Sequence, residues 1–141
     1  MDIKQLTPTL SVSSQIGPEH APAIAAAGFR TVICNRPDTE NPEELQSALI
    51  GAAIEAQGLT FVTLPFDSKS LTPEVVVQLR EMIASAEAPV LAYCRTGTRC
   101  TNAWALGQAG DMPAQDIVSA AAAAGYDISK MAPYLIQKIT I

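Results

Sequence analysis

The chain has 141 residues, a formal net charge of −5, 48% hydrophobic and 16% charged residues. This is the composition of one soluble globular domain, residues 1–141, large enough for its own core, and its acidity argues against nucleic acid as a partner. No apolar run reaches the length of a membrane span, and residues 1–5 lack the pattern of a secretion signal, so no membrane association and a cytoplasmic location are expected. Three cysteines in such a chain point to thiol chemistry in a reducing compartment rather than a disulfide framework. The single histidine, His20, reads as a surface residue and excludes a multi-histidine metal site, so neither a metal nor an organic cofactor is expected.

In chain order, residues 3–6 and 9–12 read as two short strands around Pro8, an edge hairpin. Pro18 opens a short helix over residues 21–27 that Gly28 closes. The β-branched stretch 31–34 is a strand that ends in the polar loop Asn35-Arg36-Pro37-Asp38-Thr39-Glu40. Asn41-Pro42-Glu43-Glu44 has the marks of a helix start, a cap, a first-turn proline and acids, and that helix runs to Gln57. A strand follows at 60–64, then a loop through Asp67, and a helix opened by Thr72-Pro73-Glu74 to about Ser85. Residues 89–93 form the next strand, and everything after Cys100 reads as helical: 102–109, 114–124 and a shorter piece from Ser129 that Pro133 interrupts. Alternating strands and helices predict an α/β domain, a mostly parallel central sheet flanked by helices, with a helical C-terminal third.

The stretch Cys94-Arg95-Thr96-Gly97-Thr98-Arg99-Cys100 follows an apolar strand and precedes a helix. Backbone amides at such a junction lack helical partners and can turn inward to hold an anion, aided by the positive end of the helix. Arg95, Thr96, Gly97, Thr98 and Arg99 would line that anion site: Gly97 for a backbone angle other residues avoid, the two threonines for hydroxyls turned onto the loop, and Arg99 for a planar fork of donors. Cys94 at its centre would then be a thiolate near neutral pH, the catalytic nucleophile. In parallel sheets the chemistry gathers at the carboxyl ends of the strands, so the loops carrying Arg36 and Asp38, Asp67, and Cys94 are expected to converge. Arg36 reads as a supporting residue, which either reaches the anion site or, the favoured reading, braces its loop through Asp38 or Glu40. Cys100, and alternatively Cys34, are candidate thiols to pair with Cys94 on oxidation, although both also suit ordinary core packing.

The phrases Val12-Ser13-Ser14-Gln15, Asn35-Arg36-Pro37-Asp38-Thr39-Glu40 and Cys94-Arg95-Thr96-Gly97-Thr98-Arg99, with Trp104 following, resemble the bacterial beta-lactamase-hydrolase-like phosphatase-like family across nearly the whole chain. The resemblance implies the dual-specificity phosphatase fold. It also implies sulfur transfer, since members are labelled sulfur transferases, and a partnership with metal-dependent persulfide-oxidising hydrolases. The loop itself is similar to two patterns. Cysteine phosphatases use H-C-x-x-G-x-x-R; here Gly97 is in phase, Tyr93 replaces the histidine, Arg99 comes one residue early and Cys100 holds the arginine's place. Rhodanese-type sulfurtransferases use C-R-x-G-x-R, which this loop matches at every fixed position.

A shorter loop makes a smaller ring of amides. A phosphoryl group brings three oxygens that need donors, whereas the terminal sulfur of a persulfide is one atom. The leading expectation is therefore a sulfurtransferase in which Cys94 takes sulfur from thiosulfate, glutathione persulfide or polysulfide and passes it to a thiol acceptor. The alternative is a phosphatase in which Cys94 attacks phosphorus, Arg99 holds the oxygens and Asp67 protonates the leaving oxygen, with Cys100 standing where the family keeps a hydroxyl after its arginine. A third possibility is a non-catalytic module that binds small anions.

Overall fold

The computed structural model describes residues 1–140. Its strands are β1 (Ile3–Gln5), β2 (Leu10–Ser13), β3 (Thr31–Cys34), β4 (Thr60–Thr63) and β5 (Val90–Tyr93). They form one sheet in the order β1-β2-β5-β3-β4, with β1 antiparallel to β2 and every other pairing parallel. The helices are α1 (Ala21–Ala26), α2 (Ser47–Ala56), α3 (Pro73–Ser85), α4 (Thr98–Gln108) and α5 (Ala114–Ala123). The mostly parallel α/β architecture is the one the element order predicts.

Period-2 alternation along β5 sorts the core into two layers. Val90, Ala92 and, just past the strand, Cys94 face one side, where they pack with Ile33, Leu79, Trp104, Ile117 and Ala121 from β3 and α3 to α5. Leu91 and Tyr93 face the other, with Val32, Cys34, Ile24, Ile50 and Ile54 from β3, α1 and α2. β5 is the middle strand and is buried on both faces. Its register puts Ala92 beside Val12 and Ile33, and Tyr93 beside Ser13 and Cys34, so β2, β5 and β3 end together.

Four expectations need correction. The N-terminal hairpin forms, but only β1 is an edge: β2 is buried along its whole length because it pairs with β5. The helix expected from Asn41 starts at Ser47, after a 3₁₀ turn over Glu43–Leu45. The Asn41 amide group is drawn to Gln15 Oε1 (3.1 Å) and the Leu45 carbonyl (3.3 Å), so it caps no helix. Asp38 supplies that cap from further upstream: its carboxylate accepts from the Ser47 amide (2.7 Å) and hydroxyl (2.8 Å), satisfying an orphan donor at the positive end of α2. Third, α4 begins at Thr98, inside the loop, four residues before the expected 102, because Gly97 alone makes the turn. Fourth, the last helical piece is a 3₁₀ segment, Ser129–Leu135, with Pro133 inside it. By contrast α3 starts as its sequence dictates, with Thr72 Oγ1 accepting from the Val75 amide and proline in the first turn. Among the described residues, no helix is long and apolar enough to cross a membrane.

The Asp38 cap can be measured directly. Asp38→Ala is expected to lower stability by about 1 kcal/mol, read as a shift of the urea unfolding midpoint at unchanged slope.

Candidate active site

β5 delivers Cys94 to the carboxyl edge of the sheet, and the chain turns at once. Neighbouring strands hold the turn in place: the Cys94 amide donates to the Ser13 carbonyl (3.3 Å), and the Gln15 amide donates to the Arg95 carbonyl (3.1 Å). Gly97 takes φ +89° and ψ −12°, a left-handed conformation that suits glycine, and α4 follows immediately. This turn aims the Gly97 amide at Cys94 Sγ, 3.1 Å away. Thr96 Oγ1 donates to Thr98 Oγ1 (2.9 Å) and accepts from the Thr98 amide (3.4 Å), so the Thr96 hydroxyl is bound to the loop backbone while the Thr98 hydroxyl meets only that of Thr96. The buried hydroxyl of Thr101 donates to the Gly97 carbonyl (2.8 Å) and closes the loop onto the helix.

Cys94 is fully buried, which by itself would keep it a neutral thiol. Its pKa is instead lowered to about 5: the Cys100 thiol donates to it, and the amides of Cys100, Gly97 and Thr96 add to that, against the opposing effect of burial. Cys100 moves the other way, pushed well above the ordinary thiol range by burial and by the negative sulfur it serves. The two thiols thus share one proton, with Cys94 charged and Cys100 neutral. Cys34 lies in the opposite core layer beside Tyr93, where its thiol donates to the Arg36 carbonyl (3.4 Å) and burial raises its pKa. Cys100 is therefore the cysteine that meets Cys94. All three cysteines are free.

Arg99 does not hang over the thiolate as an unengaged fork. Its Nη1 donates to Glu40 Oε2 (2.9 Å) and to the Phe66 carbonyl (3.1 Å), and its Nη2 donates to Glu40 Oε1 (2.7 Å). A guanidinium has five N–H groups, and these bonds use three: the two end-on hydrogens and one side of Nη1. The Nε–Nη2 edge remains, a second pair of parallel donors that suits an oxyanion. The pKa of Glu40 is lowered, first by its hydrogen bond from Arg99. Arg36 braces the same carboxylate through Nε (3.2 Å), donates to the Glu40 carbonyl through Nη2 (3.2 Å) and reaches Gln15 Oε1 through Nη1 (3.0 Å). The bracing role read for Arg36 thus goes through Glu40, while Asp38 caps α2. With side chains only 12% and 18% exposed, Arg36 and Arg99 are weakly screened.

The three loops at the carboxyl edge do converge, and the convergence point is the Arg99 guanidinium, which ties Glu40 of the β3 loop and Phe66 of the β4 loop to the Cys94 loop. Asp67, next to Phe66, is turned elsewhere. Its Oδ1 accepts from the Lys69 and Ser70 amides, both at 2.9 Å, inside its own exposed turn. The Ser70 side chain and these amides lower its pKa, so it is an ionised carboxylate at neutral pH. Arg95 is exposed. His20 accepts from the Gly17 amide through Nδ1 (2.8 Å) and finishes its own turn. Sequence reasoning gave Glu40 only as a possible brace and missed Thr101, Gln15 and Tyr126. The Tyr126 hydroxyl donates to the Thr96 carbonyl at 3.0 Å.

A thiolate at the end of the middle parallel strand, an amide-lined loop and a helix rising from it define the fold of the cysteine-dependent phosphatases. The chain belongs to the family described as beta-lactamase hydrolase-like protein, phosphatase-like domain, whose model matches residues 2–111. A beta-lactamase hydrolase-like protein of Agrobacterium fabrum is 28% identical over 130 residues, covering 91% of this chain and 30% of its own length. The chain thus spans about a third of that curated relative. Among solved structures, a protein of Neisseria meningitidis described as a candidate phosphatase is 38% identical, covers 96% of each chain and superposes with a TM-score of 0.85. P. aeruginosa TpbA in complex with pTyr shares the fold at 17% identity and a TM-score of 0.68, covering 96% of this chain and 82% of that one. Family and neighbours are phosphatase-like, which reverses the order of the two enzymatic readings: the phosphatase is the better supported, and none of these relatives carries the sulfurtransferase label.

Cys100→Ala removes the largest contribution to the acidity of Cys94. The midpoint of iodoacetamide alkylation at Cys94 is expected to rise clearly from about 5, and Cys100→Ser, which keeps a donor, is expected to move it less.

Proposed function

We propose that the chain is a cysteine-dependent phosphomonoester hydrolase. The observation that carries this reading is the buried Cys94 sulfur, with its pKa lowered to about 5 and the Gly97 amide 3.1 Å from it, beside an Arg99 guanidinium whose Nε–Nη2 edge has no partner among the described residues. Cys94 attacks phosphorus and the bond to the leaving oxygen breaks, giving a cysteinyl phosphate and an alkoxide or phenoxide. Loop amides and Arg99 hold the equatorial oxygens. Water then attacks phosphorus, phosphate leaves, and the Cys100 thiol stabilises the departing Cys94 thiolate in place of a hydroxyl. The TpbA complex with pTyr supports an anionic, phosphorylated substrate. Asp67 enters without a proton, so substrates whose leaving oxygen is already acidic, aryl phosphates first, suit this site best.

With an aryl phosphate as probe, Cys94→Ser is expected to abolish turnover and Arg99→Ala to lower kcat/KM by about a hundredfold. Asp67→Asn is expected to change turnover of an acidic phenol ester by no more than about twofold. Because the reactive form is the thiolate, the rate is expected to fall as pH drops through about 5 and to be level above it. Turnover that survives Cys94→Ser would overturn the reading.

Two observations favour sulfur transfer as a second reading: the end of the Arg99 fork is committed to Glu40, and Asp67 has no proton to give. Cys94 would attack the outer sulfur of a persulfide, leaving a cysteine persulfide on the protein and the donor as a thiol, with no net oxidation. Intact mass after glutathione persulfide treatment separates the two. A gain of one sulfur, absent in Cys94→Ser, together with no aryl phosphate turnover, would replace the first reading by the second.

A further inference from the structure

We propose that Tyr126 is a positioning residue of the thiolate loop: by holding the Thr96 carbonyl from outside, it turns the Gly97 amide inward onto Cys94. The argument is one of peptide geometry. The carbonyl of Thr96 and the N–H of Gly97 belong to the same planar trans peptide, so they point in opposite directions. The Tyr126 hydroxyl donates to the Thr96 oxygen at 3.0 Å, and the Gly97 nitrogen donates to Cys94 Sγ at 3.1 Å. One bond at each end fixes the rotation of the whole unit. If the outer bond is released, the unit can rock and the inner bond weakens.

Tyr126 is itself held rigidly. Gly125, at φ +98°, ends α5 with its amide donating to the Ala122 carbonyl (2.9 Å), and the Tyr126 amide donates to the Ala121 carbonyl (2.8 Å). That nested pair is a Schellman ending, which fixes where the next side chain starts. Ala121 is fully buried in the core layer that also holds Cys94, so the tyrosine is anchored to the same core as the thiolate. The ring also lies against Gly97: a Cβ there would run into the Tyr126 hydroxyl and meet Cζ at 3.0 Å. The absence of a side chain at Gly97 therefore serves both its left-handed turn and the approach of Tyr126. Residue 126 lies beyond the stretch 2–111 that the family model matches, so the C-terminal third contributes to the site as well as covering the sheet.

The ionisable groups around Cys94 are Cys34 from β3, Arg99 and Cys100 from α4, and Tyr126, with Asp2 acting on Tyr126. Tyr126→Phe leaves all the others in place and keeps the ring, removing one partly exposed oxygen, so the fold is expected to persist. The test is the pH profile of Cys94 alkylation by iodoacetamide in wild type, Tyr126→Phe and Tyr126→Leu. The midpoint is expected to rise by about one pH unit in both variants, so that at pH 5 the rate falls roughly fivefold, while reactivity well above the midpoint is unchanged. The Leu variant should lose additional stability but share the midpoint of the Phe variant, because the hydroxyl is what matters. An unchanged midpoint in Tyr126→Phe, or a shift seen only when the ring is removed, overturns the proposal. It rests on Cys94 being the reactive thiolate, and the readout keeps the two apart. An acidic wild-type thiol with an unmoved Phe variant sinks the role of Tyr126 alone, whereas an ordinary wild-type thiol sinks both.

Discussion

A negative charge on a fully buried sulfur is the constraint on which the rest of the site depends. Burial alone would protonate Cys94, and the single histidine, His20, is bound through Nδ1 to the Gly17 amide of its own turn. Charge is kept there by oriented dipoles: the S–H of Cys100 and the amides of Cys100, Gly97 and Thr96. Such donors must be fixed before the charge arrives, because a mobile amide would gain little after its own ordering cost. Much of the surrounding architecture can be understood as immobilising one short loop. β2 holds it at Cys94, Gln15 just past that strand holds it at the Arg95 carbonyl, α4 holds it at the Gly97 carbonyl through Thr101, and the end of α5 holds it at the Thr96 carbonyl.

The guanidinium has a different task from the one its spacing suggests. Coming one residue early, Arg99 is placed where Glu40 and the Phe66 carbonyl take three of its five N–H groups. The acid orients the fork and also costs it one unit of positive field. Arg36 restores that charge by sharing the same carboxylate, so two cations and one anion meet at Glu40. Two guanidiniums against one carboxylate leave this cluster with a net positive charge, which favours an anion. The phosphorus and sulfur readings divide at the Nε–Nη2 edge: a phosphoryl group uses the edge fully, and a single sulfur atom needs little beyond the amides.

What could be read from the residues alone was the local and the periodic. Val90-Leu91-Ala92-Tyr93-Cys94 alternates between two layers, Gly97 turns the loop, and the element order gives the parallel sheet and the meeting of three loops at its carboxyl edge. What could not be read was long-range. Glu40 and Arg99 are 59 positions apart, and nothing near either one shows that the fork has a partner. Tyr126 carries only the signal of a helix ending at Gly125. The misplaced start of α2 has the same origin: Asn41-Pro42-Glu43-Glu44 satisfies every local rule for a helix, but the Asn41 side chain is bound to Gln15, and Asp38 reaches the true first turn. The loop motif was ambiguous for a physical reason, since the same amides and thiolate serve either oxyanions or a sulfur anion.

The most direct measurement is the ultraviolet absorbance of the thiolate as pH is raised, taken as the difference between wild type and Cys94→Ser. A single-thiolate step with its midpoint near 5 is the result this account predicts. A step in the range of an unperturbed cysteine, about 8.5, would show that the loop does not hold charge on the sulfur, and would contradict the account at its base.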